Sequence, residues 1–283
     1  MAEVQRRELI DRYLETQGLK KRKQDFGFLS DLVGRHVANF AFSSVGVRLG
    51  EDLPLDFESL FDRIVTQRRG GYCFEQNGLL YEILEELGFS PELYLARVIY
   101  NKDIHPGLTH RISIVEYRGQ RYVLDVGFGP DGPSVPVLFS QDETQDRDRV
   151  YRVAQRNAGE YHMQVFKDGD FYSLYRFELT RYGPSDCNLG HFYSHRHPDA
   201  AFVNHLVVSL ILAGETRSLR DLEYRVITQS GTKIRNIDKP ELLTQVLIDD
   251  FLINVTQAEG HQLFEGLTGK SDGQAKRVGR YIK

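Results

Sequence analysis

Apolar positions in the first ninety residues recur at helical spacing. Residues 3–16 are charged with a sparse apolar stripe. A stronger helix is predicted over 56–68, with Asp56 as its N-cap and Phe57, Leu60, Phe61, Ile64 and Val65 on one face. Arg68-Arg69-Gly70-Gly71-Tyr72-Cys73 interrupts it, and the next helix carries Leu79, Leu80, Ile83, Leu84 and Leu87 until Gly88 and Pro91 stop it. The period then changes. Residues 92–100, 109–117 and 121–126 read as strands, the last two joined through Arg118-Gly119-Gln120. Residues 127–136 form a Gly/Pro loop and 141–149 a charged surface loop, after which strands resume at 151–153, 161–166 and 171–179. Residues 201–212 fit either a helix or a buried strand, 221–228 and 232–237 a hairpin, and 240–251 a helix. Helices, then strands, then a mixture describe an α+β chain with seams near residues 90 and 195.

Composition narrows the class. The 283 residues suggest about two domains and leave room for a sizeable core. With 41% apolar and 27% charged residues the chain is an ordinary globular protein, not a disordered or fibrous one. Thirty-six basic and 40 acidic side chains, net −4, leave no electrostatic footprint for nucleic acid. The richest apolar run, 206–213, is too short to cross about 30 Å of hydrocarbon, and no apolar stretch at the N-terminus reads as a signal peptide. Two cysteines, Cys73 and Cys187, cannot build a four-cysteine zinc site or a disulfide framework. Reduced thiols in a cytoplasmic protein are expected.

Cys73 follows two glycines and opens a predicted helix, where backbone N–H groups favour a thiolate. Such a nucleophile needs a base and an orienting acceptor. His110 and Asp125, in the next two strands, are the candidates. A cysteine in this position also fits a small buried apolar residue. A two-residue turn at 119–120 would pair Asp125 with Ile114 and leave His110 about 13 Å away. A bulge, a different connection, or no triad would each answer that difficulty, and spacing leaves all three open.

The segment Arg68-Arg69-Gly70-Gly71-Tyr72-Cys73-Phe74-Glu75-Gln76-Asn77-Gly78-Leu79 resembles the active-site signature of the arylamine N-acetyltransferases. Thr109-His110-Arg111, Leu124-Asp125-Val126-Gly127-Phe128-Gly129 and Pro198-Asp199-Ala200-Ala201-Phe202-Val203-Asn204-His205 resemble later blocks of that family, in family order. The resemblance implies a helical bundle over 1–90 carrying the nucleophile, a β-barrel over 91–195 carrying His and Asp, and an α/β lid over 196–283. It implies a transglutaminase-like Cys73-His110-Asp125 triad, and it moves the geometric difficulty onto the hairpin register. The implied activity is ping-pong transfer from acetyl-CoA to an arylamine or arylhydrazine through an acetyl-Cys73 thioester, with no metal, nucleic acid or membrane partner. Phe128 and Phe202 resemble aromatics of the acceptor pocket, and Gly127 and Gly129 would let CoA approach the backbone. One block departs: Ala41-Phe42-Ser43-Ser44-Val45 stands where the family carries Pro-Phe-Glu-Asn-Leu. Alternatives on the same fold are an amide synthase with a larger acyl donor, and a cysteine hydrolase or transglutaminase.

Other signals are set aside. Gly127-Phe128-Gly129-Pro130-Asp131-Gly132 has dinucleotide-loop spacing, but its prolines preclude the required helix. His191, His195 and His197 lack an obvious further ligand. Asn254-Val255-Thr256 matches a glycosylation acceptor that a cytoplasmic chain would not use. The tail 270–283, with five Lys/Arg and one Asp, reads as a solvated end or a weak attraction for CoA phosphates.

Overall fold

A computed structural model describes residues 2–21 and 23–269; the basic tail 270–283 lies outside the described residues. The chain opens with α1 (Ala2–Thr16) and α2 (Phe26–Asn39). The Asp25 carboxylate caps α2 by accepting the Phe28 amide at 2.8 Å. After β1 (Phe42–Ser43) and α3 (Val45–Leu49) comes α4 (Phe57–Phe61), capped by Asp56 as expected. The predicted helix over 56–68 does not continue as α-helix: Asp62–Thr66 is a π-helical turn. α5 (Cys73–Glu86) is the last helix of this part, and Gly88 follows it at φ 81°. Leu32, Val33, Leu60, Ile64, Leu80, Ile83 and Leu84 form one apolar core among these helices.

The strands are β2 (Pro91–Val98), β3 (His110–Tyr117), β4 (Gln120–Leu124), β5 (Val137–Leu138), β6 (Thr144–Asp146), β7 (Arg149–Asn157), β8 (Glu160–Lys167) and β9 (Asp170–Glu178). They form one antiparallel sheet in the order β5-β4-β3-β2-β9-β8-β7-β6. The sheet curls back on itself, the Val153 amide of β7, past the end of the short edge strand β6, donating to Ser140 O beyond β5 at 3.1 Å. Its interior is filled by Ile112, Val123, Tyr151, Met163, Leu174 and Phe177. The charged stretch 141–149, expected as a loop, supplies β6, whose Asp146 is buried and accepts the Ser134 hydroxyl and amide, both at 2.6 Å.

α6 (Pro184–Arg196) and α7 (Ala201–Asn204) lead to β10 (Val207–Ile211), β11 (Thr216–Arg220), β12 (Glu223–Thr228) and β13 (Gly231–Asn236). Residues 201–212 therefore hold a helix and a strand in succession. α8 (Pro240–Asp249) and α9 (Gln257–Thr268) pack on this second sheet through Leu243, Leu247 and Leu263. The second sheet runs β1-β10-β11-β12-β13, so its first strand comes from residues 42 and 43. The altered Ala41–Val45 block thus joins the first and last thirds of the chain. The Ser44 hydroxyl accepts the Val207 amide at 2.9 Å and donates to His205 O at 3.2 Å. Helices with a barrel-like sheet and a second sheet-and-helix layer make the α+β fold that was expected. Among the described residues no helix is long and apolar enough to cross a membrane.

Candidate active site

The turn before α5 is shaped by its glycines. Gly70 has φ 66°, and a Cβ there would stand 2.6 Å from Ala41 O. Gly71 lies against β1, the Ser43 amide donating to Gly71 O at 2.8 Å. The chain can then enter α5 with Cys73 as its first residue, whose amide has no acceptor within the helix. The Cys73 thiol is buried and donates to Thr109 O at 3.3 Å.

His110 follows Thr109 at the start of β3. Its hairpin partner β4 pairs Tyr117 with Gln120, so the turn residues are Arg118 and Gly119, both at positive φ. The expected turn at 119–120 was two residues out of register. Ser113 pairs with Leu124, so Asp125 follows the strand end and lies near the level of Ile112. The separation shrinks, and His110 Nε2 meets Asp125 Oδ2 at 2.7 Å. The other carboxylate oxygen, Oδ1, accepts the Asn77 side-chain amide at 2.9 Å and the Gly127 backbone amide at 3.0 Å. Asn77 also donates to Arg111 O at 2.7 Å and accepts the Val126 amide at 2.9 Å. Residues 73 and 77 are one helical turn apart on the same face of α5.

All three side chains are within 3% of full burial, so their charges are stabilised by one another. Burial alone would lower the His110 pKa, but the Asp125 carboxylate and the Cys73 sulfur outweigh it and push it up to about 10. Burial would raise Asp125, but His110, Asn77 and the Gly127 amide hold it below the usual carboxylate range. The arrangement suits a thiolate facing an imidazolium that a carboxylate orients.

Other expected site residues fall at different distances. The Phe128 ring stands edge-on to His110, centroids 5.2 Å apart, and shares the apolar cluster of the barrel. Gly127 is small for a packing reason: a Cβ there would stand 2.7 Å from Cys73 Cα and 2.8 Å from Asn77 Nδ2. The expectation of an open backbone for a ligand therefore rests on Gly129, at φ 94°, which lines a small cleft with Phe42, Phe128 and Ser209. Phe202 sits on the other side, against Tyr72 at 5.1 Å and Phe42 at 5.7 Å. The residues after Gly129 do not form a helix, and among the described residues no group of three or more His, Cys, Asp or Glu could hold a metal. His191 has both ring nitrogens engaged, by the Tyr72 hydroxyl at 2.5 Å and Leu53 O at 2.7 Å.

Two residues of the site went unassigned in the sequence. Asn77 lies inside the quoted signature, and its i+4 spacing from Cys73 was the available signal. Tyr175, whose ring is 4.8 Å from His110, had no local signal, because it arrives by pairing with Val98 across the sheet. Its burial and the Asp125 charge push its phenol well above the ordinary range. Cys187 in α6 shares an apolar cluster with Cys73, Phe74 and Leu95, and burial raises its thiol. Cys187→Ala is expected to cost about 1 kcal/mol of stability and to leave turnover nearly unchanged, as thermal melts and steady-state rates would show. A large loss of turnover at unchanged stability would give this thiol a role in the chemistry.

Comparison with known proteins places the chain in a family. A family model described as N-acetyltransferase matches residues 25–260. The arylamine N-acetyltransferase of Mycolicibacterium smegmatis is 30% identical over 259 residues, 89% of this chain and 94% of that one. The chain belongs to the arylamine N-acetyltransferase family. The Escherichia coli (strain K12) arylamine N-acetyltransferase is 34% identical over 176 residues, 62% of each chain. The solved structure of the Mycobacterium marinum arylamine N-acetyltransferase in complex with CoA superposes with a TM-score of 0.86 at 27% identity, covering 91% of this chain and 98% of that one. The enzyme is accordingly an acyltransferase, and its expected family and fold agree with these relatives.

Proposed function

We propose that the enzyme transfers an acetyl group from acetyl-CoA to an arylamine or arylhydrazine in two steps, through a thioester on Cys73. The contact of 2.7 Å between His110 and Asp125, beside a thiol at a helix start, carries this reading. The likeness to the CoA-bound M. marinum enzyme supports a CoA thioester as donor. The Cys73 thiolate attacks the acetyl carbonyl, and the Cys73 amide is one donor for the oxyanion. The carbon–sulfur bond to CoA breaks, and His110 gives its proton to the departing thiolate. The amine then attacks the thioester, His110 takes the proton from nitrogen, and Cys73 leaves as thiolate. Asp125 keeps the ring oriented throughout.

Phe128 shields the ring edge from water, which protects the thioester from hydrolysis. Together with Gly129 and Phe202 it makes the wall for donor and acceptor. The division of labour follows three units: 1–90 supplies the nucleophile, 91–195 the imidazole and carboxylate, and 196–283 the cover. Two reduced thiols fit a cytoplasmic location.

Intact-protein mass spectrometry after brief mixing with acetyl-CoA tests the reading. One added acetyl group is expected, absent in Cys73→Ala and discharged by an added arylamine. A protein that gains no acetyl group from acetyl-CoA, yet is acylated by longer acyl-CoA donors, would instead be an amide synthase of the same fold.

A further inference from the structure

A chain of alternating charges leads away from the nucleophile helix, and none of its members belongs to the Cys73, His110 and Asp125 cluster. It starts at Glu75, buried in the first turn of α5. One Glu75 oxygen accepts the Tyr72 amide at 3.1 Å, and the other pairs with Arg63 Nε at 2.8 Å. Arg63 pairs in turn with Glu51, and the second Glu51 oxygen pairs with Arg69. Arg69 then grips both oxygens of Glu259, at 2.8 and 3.2 Å, from the first turn of α9.

Backbone contacts run alongside. Arg69 donates to Asn254 O at 2.6 Å, the Asn254 amide donates to Arg68 O at 2.9 Å, and the Asn254 side chain donates to Gln67 O at 2.9 Å. The segment entering the last helix is thus strapped to the turn that enters the nucleophile helix. Position 43, an acid in the family block, is a buried serine here, its Cβ only 2.8 Å from where a Cβ on Gly70 would stand. The two acids on Arg69 are Glu51 and Glu259.

We propose that Glu259 is a positioning residue for acyl transfer: through Arg69, Glu51, Arg63 and Glu75 it fixes the Tyr72 peptide, and with it the Cys73 amide that faces the developing oxyanion. This rests on Cys73 as the acyl acceptor. The consequence is selective. A misaimed amide weakens reactions that form an oxyanion far more than direct displacement at sulfur, which draws on the thiolate and its imidazolium and develops no oxyanion.

Glu259→Gln isolates the effect. Thr256 caps α9 by accepting the Glu259 amide, while Glu259 accepts the Thr256 amide at 2.7 Å, and a glutamine can keep that reciprocal cap. The variant therefore removes mainly the charge on Arg69. Glu51→Gln cuts the chain at another link, and both side chains are partly exposed, at 29% and 25%. The probe for acylation is p-nitrophenyl acetate, which needs no CoA site; iodoacetamide is the probe for direct displacement. In both variants Cys73 acylation is expected to slow about tenfold, as for a small displacement of a catalytic group. Alkylation is expected to stay within about twofold, since it develops no oxyanion. Unchanged acylation would overturn the proposal, and so would equal slowing of both reactions, which would make the chain a general prop of the fold. Wild-type acylation by the ester but not by acetyl-CoA would refute the donor while leaving this comparison to decide. Alkylation of the wild type without acylation by either donor would overturn both readings.

Discussion

Replacing Cys73 with serine is expected to lower acetyl transfer on the order of a millionfold, the scale of removing a hydrolase nucleophile. The reason is proton affinity rather than shape. The site has a buried imidazole whose pKa is pushed up to about 10 by Asp125 and Cys73. An imidazole that is already protonated at neutral pH has no free nitrogen to take a hydroxyl proton, whereas a cysteine sulfur, far more acidic than a hydroxyl, can carry the negative charge itself. Serine cannot, so its oxygen stays protonated beside the ring. Serine is smaller than cysteine and tolerates the helix start, so thermal stability should change little. Steady-state transfer to an arylamine, with a melting curve as control, checks the result. Activity near that of the wild type would place the nucleophile elsewhere.

Asp125→Asn is expected to cost about ten-thousandfold, and the hydrogen-bond directions show why. Two donors, the Asn77 side chain and the Gly127 amide, point at Oδ1. An asparagine must present its carbonyl to them, which turns its NH2 toward His110 Nε2. The ring is then forced to keep its proton on Nδ1, the nitrogen left for Cys73, and can no longer accept one there. The variant also removes a dependence on pH. The His110 pKa is raised above the ordinary 6.5, so its protonation stabilises the native protein fully below that pH. That contribution is lost as pH rises through about 10. Denaturant titrations should show wild-type stability falling across this window and the variant showing little such fall. Nitrogen-15 imidazole shifts should show His110 still doubly protonated at about pH 8 in the wild type only. Near-normal turnover in Asp125→Asn would remove the orienting role.

Much of the candidate site could be read from residue order because its parts are local. The glycine turn, the helix it opens and the two strands after it each follow from patterns a few residues long. The hairpin register did not, because Arg118 takes a positive φ of 52° as the first turn residue, a place the glycine was expected to fill. α2 was given no bounds of its own within the expected helical bundle, although Phe28, Leu29, Leu32, Val33 and Val37 recur at helical spacing. α6 offered no usable pattern. Its buried face is Cys187, Gly190, His191 and Ser194, while Leu189, Phe192 and Tyr193 face outward, so periodicity points the wrong way. Glu51, Arg69 and Glu259 look like ordinary surface charges in sequence. Only the fold brings residues 69 and 259 together, 190 positions apart.

The short strand β1 sets an order on assembly. Ser44, just past it, waits for Val207, which is synthesised 163 residues later. At typical translation rates that interval is roughly ten to thirty seconds. During it the nascent chain already holds His110 and Asp125, but the turn behind Cys73 lacks the neighbour that braces it. The ribosome-bound chain should therefore carry an unready thiol, and the enzyme should mature only when its C-terminal sheet closes over residues made near the start.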